Sequence, residues 1–353
     1  MSQKKIKDPF AGNLFANGVL QFFHYVFPIV TLPYVGSVVG SESFGIINYF
    51  SVLVGYFTLV VIYGFDFSGT RKVAQLQDDP VQLKKYFLQV QSTKLFLLVI
   101  SGILYGCLLP FLPEGPNHEK IAWATFGVTA GWALMPNWFV QGMRAMRSLI
   151  WLNVAPKVLF IGIVFILIQT PKDAFIYPLS ISLSSIAVAV ISLLWVHHRF
   201  HIPYRYRFEK AIFTLLHSER WVFLSGLINN TNQTFNVLIL GYFVAFESVG
   251  HFTLGWRLMN VTQVLVMFPI MQSLFPVIGE KIKAKGDVGL RYLNRSIPLV
   301  FAAIMVSVTV MYGVGPWIIS HLFGQEYLPA IQVLHVLLLV PFITAASHLI
   351  GNV

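Results

Sequence analysis

Apolar runs of about twenty residues, each closed by a charged or Pro/Gly-rich stretch, recur along almost the whole chain. A helix rises about 1.5 Å per residue and needs about 20 residues to cross roughly 30 Å of hydrocarbon. The runs therefore predict ten transmembrane helices, at about 11–38, 45–65, 86–109, 120–142, 149–169, 175–197, 219–242, 249–278, 296–320 and 328–349. The first follows Lys4, Lys5 and Lys7, as in a signal peptide, but it is longer than an h-region of roughly 7–15 residues and has no evident small-residue cleavage site. It reads as a retained first helix. The expected fold class is all-α, a polytopic transmembrane helix bundle. No connecting segment much exceeds about twenty residues, which leaves no room for a soluble catalytic domain, and no G-x-x-x-x-G-K-[ST] loop is present.

Composition agrees: 56% of residues are apolar, 11% are charged and mean hydropathy is +0.71. A net charge of +10 in a soluble protein would suggest nucleic-acid binding, but here the cations sort by loop, so no nucleic-acid partner is expected. With the N-terminus inside, nineteen cations fall in cytoplasmic segments: Lys4, Lys5, Lys7; Arg71, Lys72, Lys84, Lys85; Arg144, Arg147; Arg199, Arg205, Arg207, Lys210, Arg220; Lys281, Lys283, Lys285, Arg291 and Arg295. Only Lys120 and Lys172 fall outside. The single cysteine, Cys107, excludes an internal disulfide and a cysteine-rich metal site, and no cofactor or metal is expected. His197, His198 and His201, among Arg199, Arg205 and Arg207, read as an interfacial basic segment rather than a metal site.

One internal repeat is visible. Glu42-Ser43-Phe44-Gly45 follows the first span and Glu247-Ser248-Val249-Gly250 the seventh, 205 residues later. The placement suggests two pseudo-repeated lobes, residues 1–205 with six helices and 206–353 with four.

Polar side chains in hydrocarbon are costly unless they face protein or water, so their spacing marks the faces that avoid lipid. In span 1, Asn13, Asn17, Gln21 and His24 follow i, i+4, i+8, i+11; in span 7, Asn229, Asn232, Gln233 and Asn236 follow i, i+3, i+4, i+7. Two readings stand: a hydrated cavity whose amides meet sugar hydroxyls, or interhelical hydrogen bonds holding the bundle together. Three cations lie inside spans: Lys94, Lys157 and Arg257, the last followed by Asn260 and Gln263. They would suit an anionic phosphate or pyrophosphate, or for the lysines snorkelling or structural pairing. Asp66 reads as a structural ion pair with Arg71, and Pro28, Pro33, Pro269 and Pro276 as bends.

Residues 28–50, PIVTLPYVGSVVGSESFGIINYF, and 63–75, YGFDFSGTRKVAQ, resemble the opening of bacterial polysaccharide flippases, the Wzx-like O-antigen transporters of the MOP superfamily. The shared features are Pro28 in a first helix, Leu32-Pro33-Tyr34, Phe44-Gly45, Gly64-Phe65 and Thr70-Arg71, with a looser likeness at Phe268-Pro269-Ile270 and Phe275-Pro276. The resemblance implies a two-lobed, MATE/MOP-like transporter, not an enzyme. It would move an undecaprenyl-pyrophosphate-linked oligosaccharide across the bacterial cytoplasmic (inner) membrane for O-antigen or exopolysaccharide biosynthesis. Its implied partners are that lipid-linked substrate, the bilayer and the polysaccharide polymerase machinery. A cationic central cavity, common in the family, would make Lys94, Lys157 and Arg257 candidates by position and charge. The family usually has twelve helices, so the second lobe is expected to be incomplete.

Two alternatives remain at this stage. A MATE-like drug or cation exporter would favour a buried carboxylate in span 1, and none occurs between Ala11 and Val38. A membrane-embedded enzyme acting on lipid-linked sugars would need a carboxylate pair or His/Asp group at one face, for which Asp78 and Asp79 come nearest.

Overall fold

The computed structural model describes residues 9–145, 160, 162–206, 211–264 and 286–351, with the side chains of 9–30, 232–233, 286–294, 296 and 348–351 left aside. The described residues form helices joined by short turns, with no strand among them. They divide into two compact units, Met1–Phe246 and Glu247–Val353. Five stretches are long and apolar enough to cross a membrane by length and composition: Thr31–Gln75, Pro80–Phe111, Pro171–Phe200, Ile297–Phe323 and Pro329–Ser347.

In the first unit, α1 (Pro9–Ile62) carries the first two expected spans as one element broken at Gly40, whose φ of 81° and ψ of 165° are not helical. Beyond the break α1 is mostly apolar, and its buried Asn48 and Thr58 donate to carbonyls one turn back, Phe44 O and Val54 O. Phe44, Ile46, Phe50 and Val61 are all at 1% exposure or less. Tyr63 and Gly64 then turn the chain with positive φ into α2 (Phe65–Gln75). Gly64 is required twice over, since it has φ +82° and a Cβ there would lie 2.6 Å from Val222 Cγ1. α3 is Pro80–Leu108, α4 is His118–Leu134, α5 is Asn137–Gly142, α6 is Ile176–Phe200 and α7 is Ala211–Phe243.

Two contacts between small residues set the packing of this unit. Gly127 and Gly131 of α4, four apart, lie against Ser182 and Ser185 of α6, so closely that a Cβ on Gly131 would meet Ser185 Cβ at 2.6 Å and its backbone carbonyl carbon at 2.9 Å. Without a hydrophobic driving force between helices in lipid, such close backbone approach supplies the association energy. At the far end of the same unit Gly69 lies against Trp138, and Thr70 Oγ1 donates to Trp138 O at 3.0 Å, joining α2 to α5. There Phe65, Phe87, Trp138, Phe139 and Val196 form a fully buried core. Gly131→Val is expected to destabilise the fold by about 1–3 kcal/mol through overpacking. Gly55→Ala, where no atom lies within 4 Å of the added methyl, should not. Thermal midpoints of the two purified variants in detergent decide this.

The sequence predicts one continuous fourth span over 120–142, whereas the structure breaks it. α4 stops at Leu134, Met135 is extended (ψ 121°) and α5 starts after Pro136. The ring of Pro136 disfavours helical geometry at the residue before it and removes an N–H from the ladder.

The histidine cluster also differs from its expected form. His197 is 2% exposed, with one ring nitrogen 2.9 Å from Ile202 O and the other 2.5 Å from the Tyr206 hydroxyl. Its ring stacks on Tyr204 with centroids 4.1 Å apart. His198, Arg199 and His201 stay exposed. Burial pushes the Tyr206 phenol up to about 12, which keeps its proton on for hydrogen bonding. Residues 202–206 are thus fastened to the end of α6.

The second unit contains α8 (Phe246–Thr262), α9 (Gly286–Ile318), α10 (Pro329–Leu337) and α11 (Val340–Gly351). Gly255 of α8 packs on Leu334 and Val333 of α10, and a His251 ring nitrogen lies 2.9 Å from Glu326 O. The two copies of the sequence repeat do the same local work in their separate units. Glu42 lies in the first turn after the Gly40 break and Glu247 in the first turn of α8, where acids suit the helix dipole. Two residues on, Phe44 and Val249 are buried. Pro269, Pro276 and the looser 268–276 likeness lie outside the described residues.

Candidate functional site

The break between α4 and α5 leaves the last carbonyls of α4 without partners in their own helix. α3 supplies the donors. Gln91 Nε2 donates to Ala133 O at 2.8 Å and Leu134 O at 3.4 Å, and Lys94 Nζ, one turn on, donates to Met135 O at 2.8 Å. Gln91 and Lys94 are 0% and 1% exposed. A buried ammonium costs several kcal/mol in desolvation, and this one is offset by its place at the negative end of α4. The half-buried Asp66 of α2 is close enough for its charge to act on Lys94. Among the described residues Asp66 forms no ion pair with Arg71, which is exposed, nor does it come within ion-pair distance of Lys94.

The second polar feature is on α7. Three points fasten this helix to α1 and the turn after it: Phe223 stacks on Tyr63 at 4.5 Å, Thr234 Oγ1 donates to the Tyr56 hydroxyl at 3.3 Å, and Gly241 lies against the Tyr49 ring. At about 100° per residue these three positions share one face. Ser225, Asn229 and Asn236 fall on the opposite face, and all three are exposed. Asn232 and Gln233 belong to the same stretch of helix, but their side chains lie outside the described ones. So do those of Asn13, Asn17, Gln21 and His24 on α1, while Lys157 lies outside the described residues altogether.

In the second unit, Arg257 and Asn260 of α8 are half-buried. Asn260 Nδ2 donates to Trp256 O of its own helix at 3.0 Å, and Gln263 Nε2 reaches Thr344 Oγ1 of α11 at 3.4 Å. The structure therefore brings Lys94 together with Gln91 at the end of α4, Asn229 with Ser225 and Asn236 on one face of α7, and Arg257 with Asn260 on α8. Gln91 and the Gly127/Gly131 pair were missed in the sequence, although the G-x-x-x-G spacing and Pro136 inside a span were available as signals. Asp79, the nearest approach to an enzymatic carboxylate, caps α3 by accepting from Val81 N and Gln82 N, both at 3.1 Å.

The sequence profile of the family described as polysaccharide biosynthesis protein matches residues 10–281. The chain belongs to that family. Within the polysaccharide biosynthesis family, it is 26% identical over 355 aligned residues to a protein of Escherichia coli (strain K12) named as a proposed O-antigen transporter, covering 96% of this chain and 81% of that one. A Shigella dysenteriae protein of the same name is 23% identical over 333 residues, covering 93% and 82%. Among solved structures, the inward-facing conformation of a multidrug-resistance MATE-family transporter of the MOP superfamily matches with a TM-score of 0.63 at 16% identity, over 91% of this chain and 80% of that one. This family member is accordingly a multi-pass helical membrane protein with the MATE/MOP fold. The family motifs found in the sequence have physical roles here. Gly64 makes the turn into α2, Phe65 fills the core, and Thr70 ties α2 to α5.

Proposed function

We propose that this chain translocates a lipid-linked oligosaccharide, carried on a polyprenyl pyrophosphate, from the cytoplasmic to the outer leaflet of the bacterial cytoplasmic membrane. Its N-terminus lies in the cytoplasm. The family membership and the relatives' O-antigen transporter names support the substrate class. The excess of cations in alternate loops supports the orientation. The observation that carries the reading is the amide face of α7. Ser225, Asn229 and Asn236 are exposed on the face of α7 opposite Phe223, Thr234 and Gly241, and exposed amides are costly against lipid, so on this reading they face a hydrated path or a substrate. Amides offer both donors and acceptors to sugar hydroxyls, and need no metal or cofactor to do so.

On this reading Asn229, Asn232, Gln233 and Asn236 line the sugar path from one side. Asn13, Asn17, Gln21 and His24, in the sequence of the equivalent first helix, are candidates for the same sugar contacts and Lys157 for the pyrophosphate; in the second unit Arg257 with Asn260 offers groups of the kind a pyrophosphate takes. Lys94 shapes the first lobe by holding the α4–α5 break and adds positive potential to it. The division into lobes at 205/206 is part of the same reading, and delivery to a polysaccharide polymerase would follow on the outer side. Deleting the gene in its host should cause lipid-linked oligosaccharide to build up in the cytoplasmic leaflet, and re-expression of the chain should clear it. Build-up in the outer leaflet, or none with surface glycan unchanged, would reject the reading.

A further inference from the structure

A cleft of ≈ 640 Å³ opens between α2, α3 and the first turns of α7, apart from the polar faces described above. Ser68, Arg71, Lys72 and Gln75 line it from α2, at i, i+3, i+4 and i+7 of one helical face. Tyr86 of α3 and Ser218 of α7 add hydroxyls. Arg71 and Lys72 are exposed, and among the described residues neither is in an ion pair. Glu219 also lines the cleft, yet it does not come within ion-pair distance of either cation. The rim is apolar, with Phe67 80% exposed and Leu215 and Val222 beside it.

Two adjacent cations with hydroxyl and amide donors around them form an anion site, and an apolar rim is out of place for a freely soluble anion. The combination fits a phosphate whose other end stays in lipid. We infer that this cleft is a binding site for a lipid-borne phosphate group. Arg71 and Lys72 hold the phosphate oxygens, Ser68, Gln75, Tyr86 and Ser218 offer further hydrogen bonds, and the exposed ring of Phe67 covers the first carbons of the chain. Two lipids share this chemistry: the polyprenyl pyrophosphate of the substrate, for which the cleft would be a loading site, and an anionic phospholipid headgroup. The first source rests on the function proposed above, and the second does not. The bland alternative is that Arg71 and Lys72 only fix topology, which requires no cleft and no selectivity for a lipid.

The test is native mass spectrometry of the full chain released from nanodiscs of phosphatidylcholine alone, with phosphatidylglycerol added, or with undecaprenyl pyrophosphate added. Arg71→Gln/Lys72→Gln is expected to weaken retention of the anionic lipid, phosphatidylglycerol or undecaprenyl pyrophosphate, roughly thirtyfold, from two near-surface cations at the usual strength each. The charge-preserving swap Arg71→Lys/Lys72→Arg should retain most of it. Lys84→Gln/Arg199→Gln, which removes two cations outside the cleft, should retain all of it. Loss confined to undecaprenyl pyrophosphate identifies the loading site, whereas equal loss of phosphatidylglycerol identifies a headgroup site. Retention unchanged in the double glutamine variant, or equal loss in the Lys84/Arg199 control, overturns the inference. If the double variant does not fold, the single Arg71→Gln is read in the same way. Because binding is read without transport, an inactive wild type that still binds undecaprenyl pyrophosphate would reject the proposed function and leave the cleft assignment standing.

Discussion

Asn229→Leu/Asn236→Leu is expected to lower translocation of a lipid-linked oligosaccharide at least about tenfold, while the purified protein keeps its thermal midpoint. Each amide removed forfeits about 1 kcal/mol of hydrogen bonding to a polar substrate, and two such losses exceed a factor of ten. Stability should hold because the positions that fasten α7 to α1 and the turn after it, at Phe223, Thr234 and Gly241, are on the other side of the helix. Were the amide face turned to lipid instead, leucine would suit it better than asparagine, and the variant would be more stable with unchanged flux. Flux and melting measured on the same preparation separate the two cases.

Lys94→Met is expected to act in the opposite way, through stability first. Methionine fills similar space but offers no donor, so Met135 O loses its partner and the end of α4 loses its cation. The loss of a buried hydrogen bond to a charged group is about 1.5–3 kcal/mol. For a unit of this size that amounts to several degrees of thermal midpoint. Gln91→Leu should add to the effect, since Gln91 serves the neighbouring carbonyls of the same break. Interaction between the two changes would show in a double-mutant cycle as a departure from additivity of about 0.5–3 kcal/mol. If Lys94→Met melts as the wild type does yet has lost its flux, Lys94 meets the substrate directly and the break is held by other means.

Much of the architecture was legible because the bilayer imposes a fixed length on every crossing. The apolar runs and the two Glu-Ser motifs each required only one-dimensional reading, and the motifs proved to open helices with a buried residue two positions later. The polar stripe of span 7 was legible for the same reason, through the spacing of Asn229 and Asn236. What the stripe faces was not, because that depends on which side of α7 packs on α1 and the turn after it, and Tyr49, Tyr56 and Tyr63 lie 160 or more residues from their partners. Lys94 shows the same limit. Its cation was visible, but its partner is the carbonyl of Met135, 41 positions later, left free of the helix ladder because Pro136 follows it. His197 was grouped with its exposed neighbours by proximity in sequence, although one turn of helix suffices to carry a ring from the surface into the core.

The most direct test of the account is reconstitution of the purified chain into vesicles containing undecaprenyl-pyrophosphate oligosaccharide, probed from outside with a membrane-impermeant glycosidase. In protein-free vesicles only the outer-leaflet molecules should be cleaved. With the chain present, the account predicts that the protected inner-leaflet pool is also consumed over time, and more slowly with Asn229→Leu/Asn236→Leu. An inner pool that stays protected in vesicles shown to contain folded protein would contradict it.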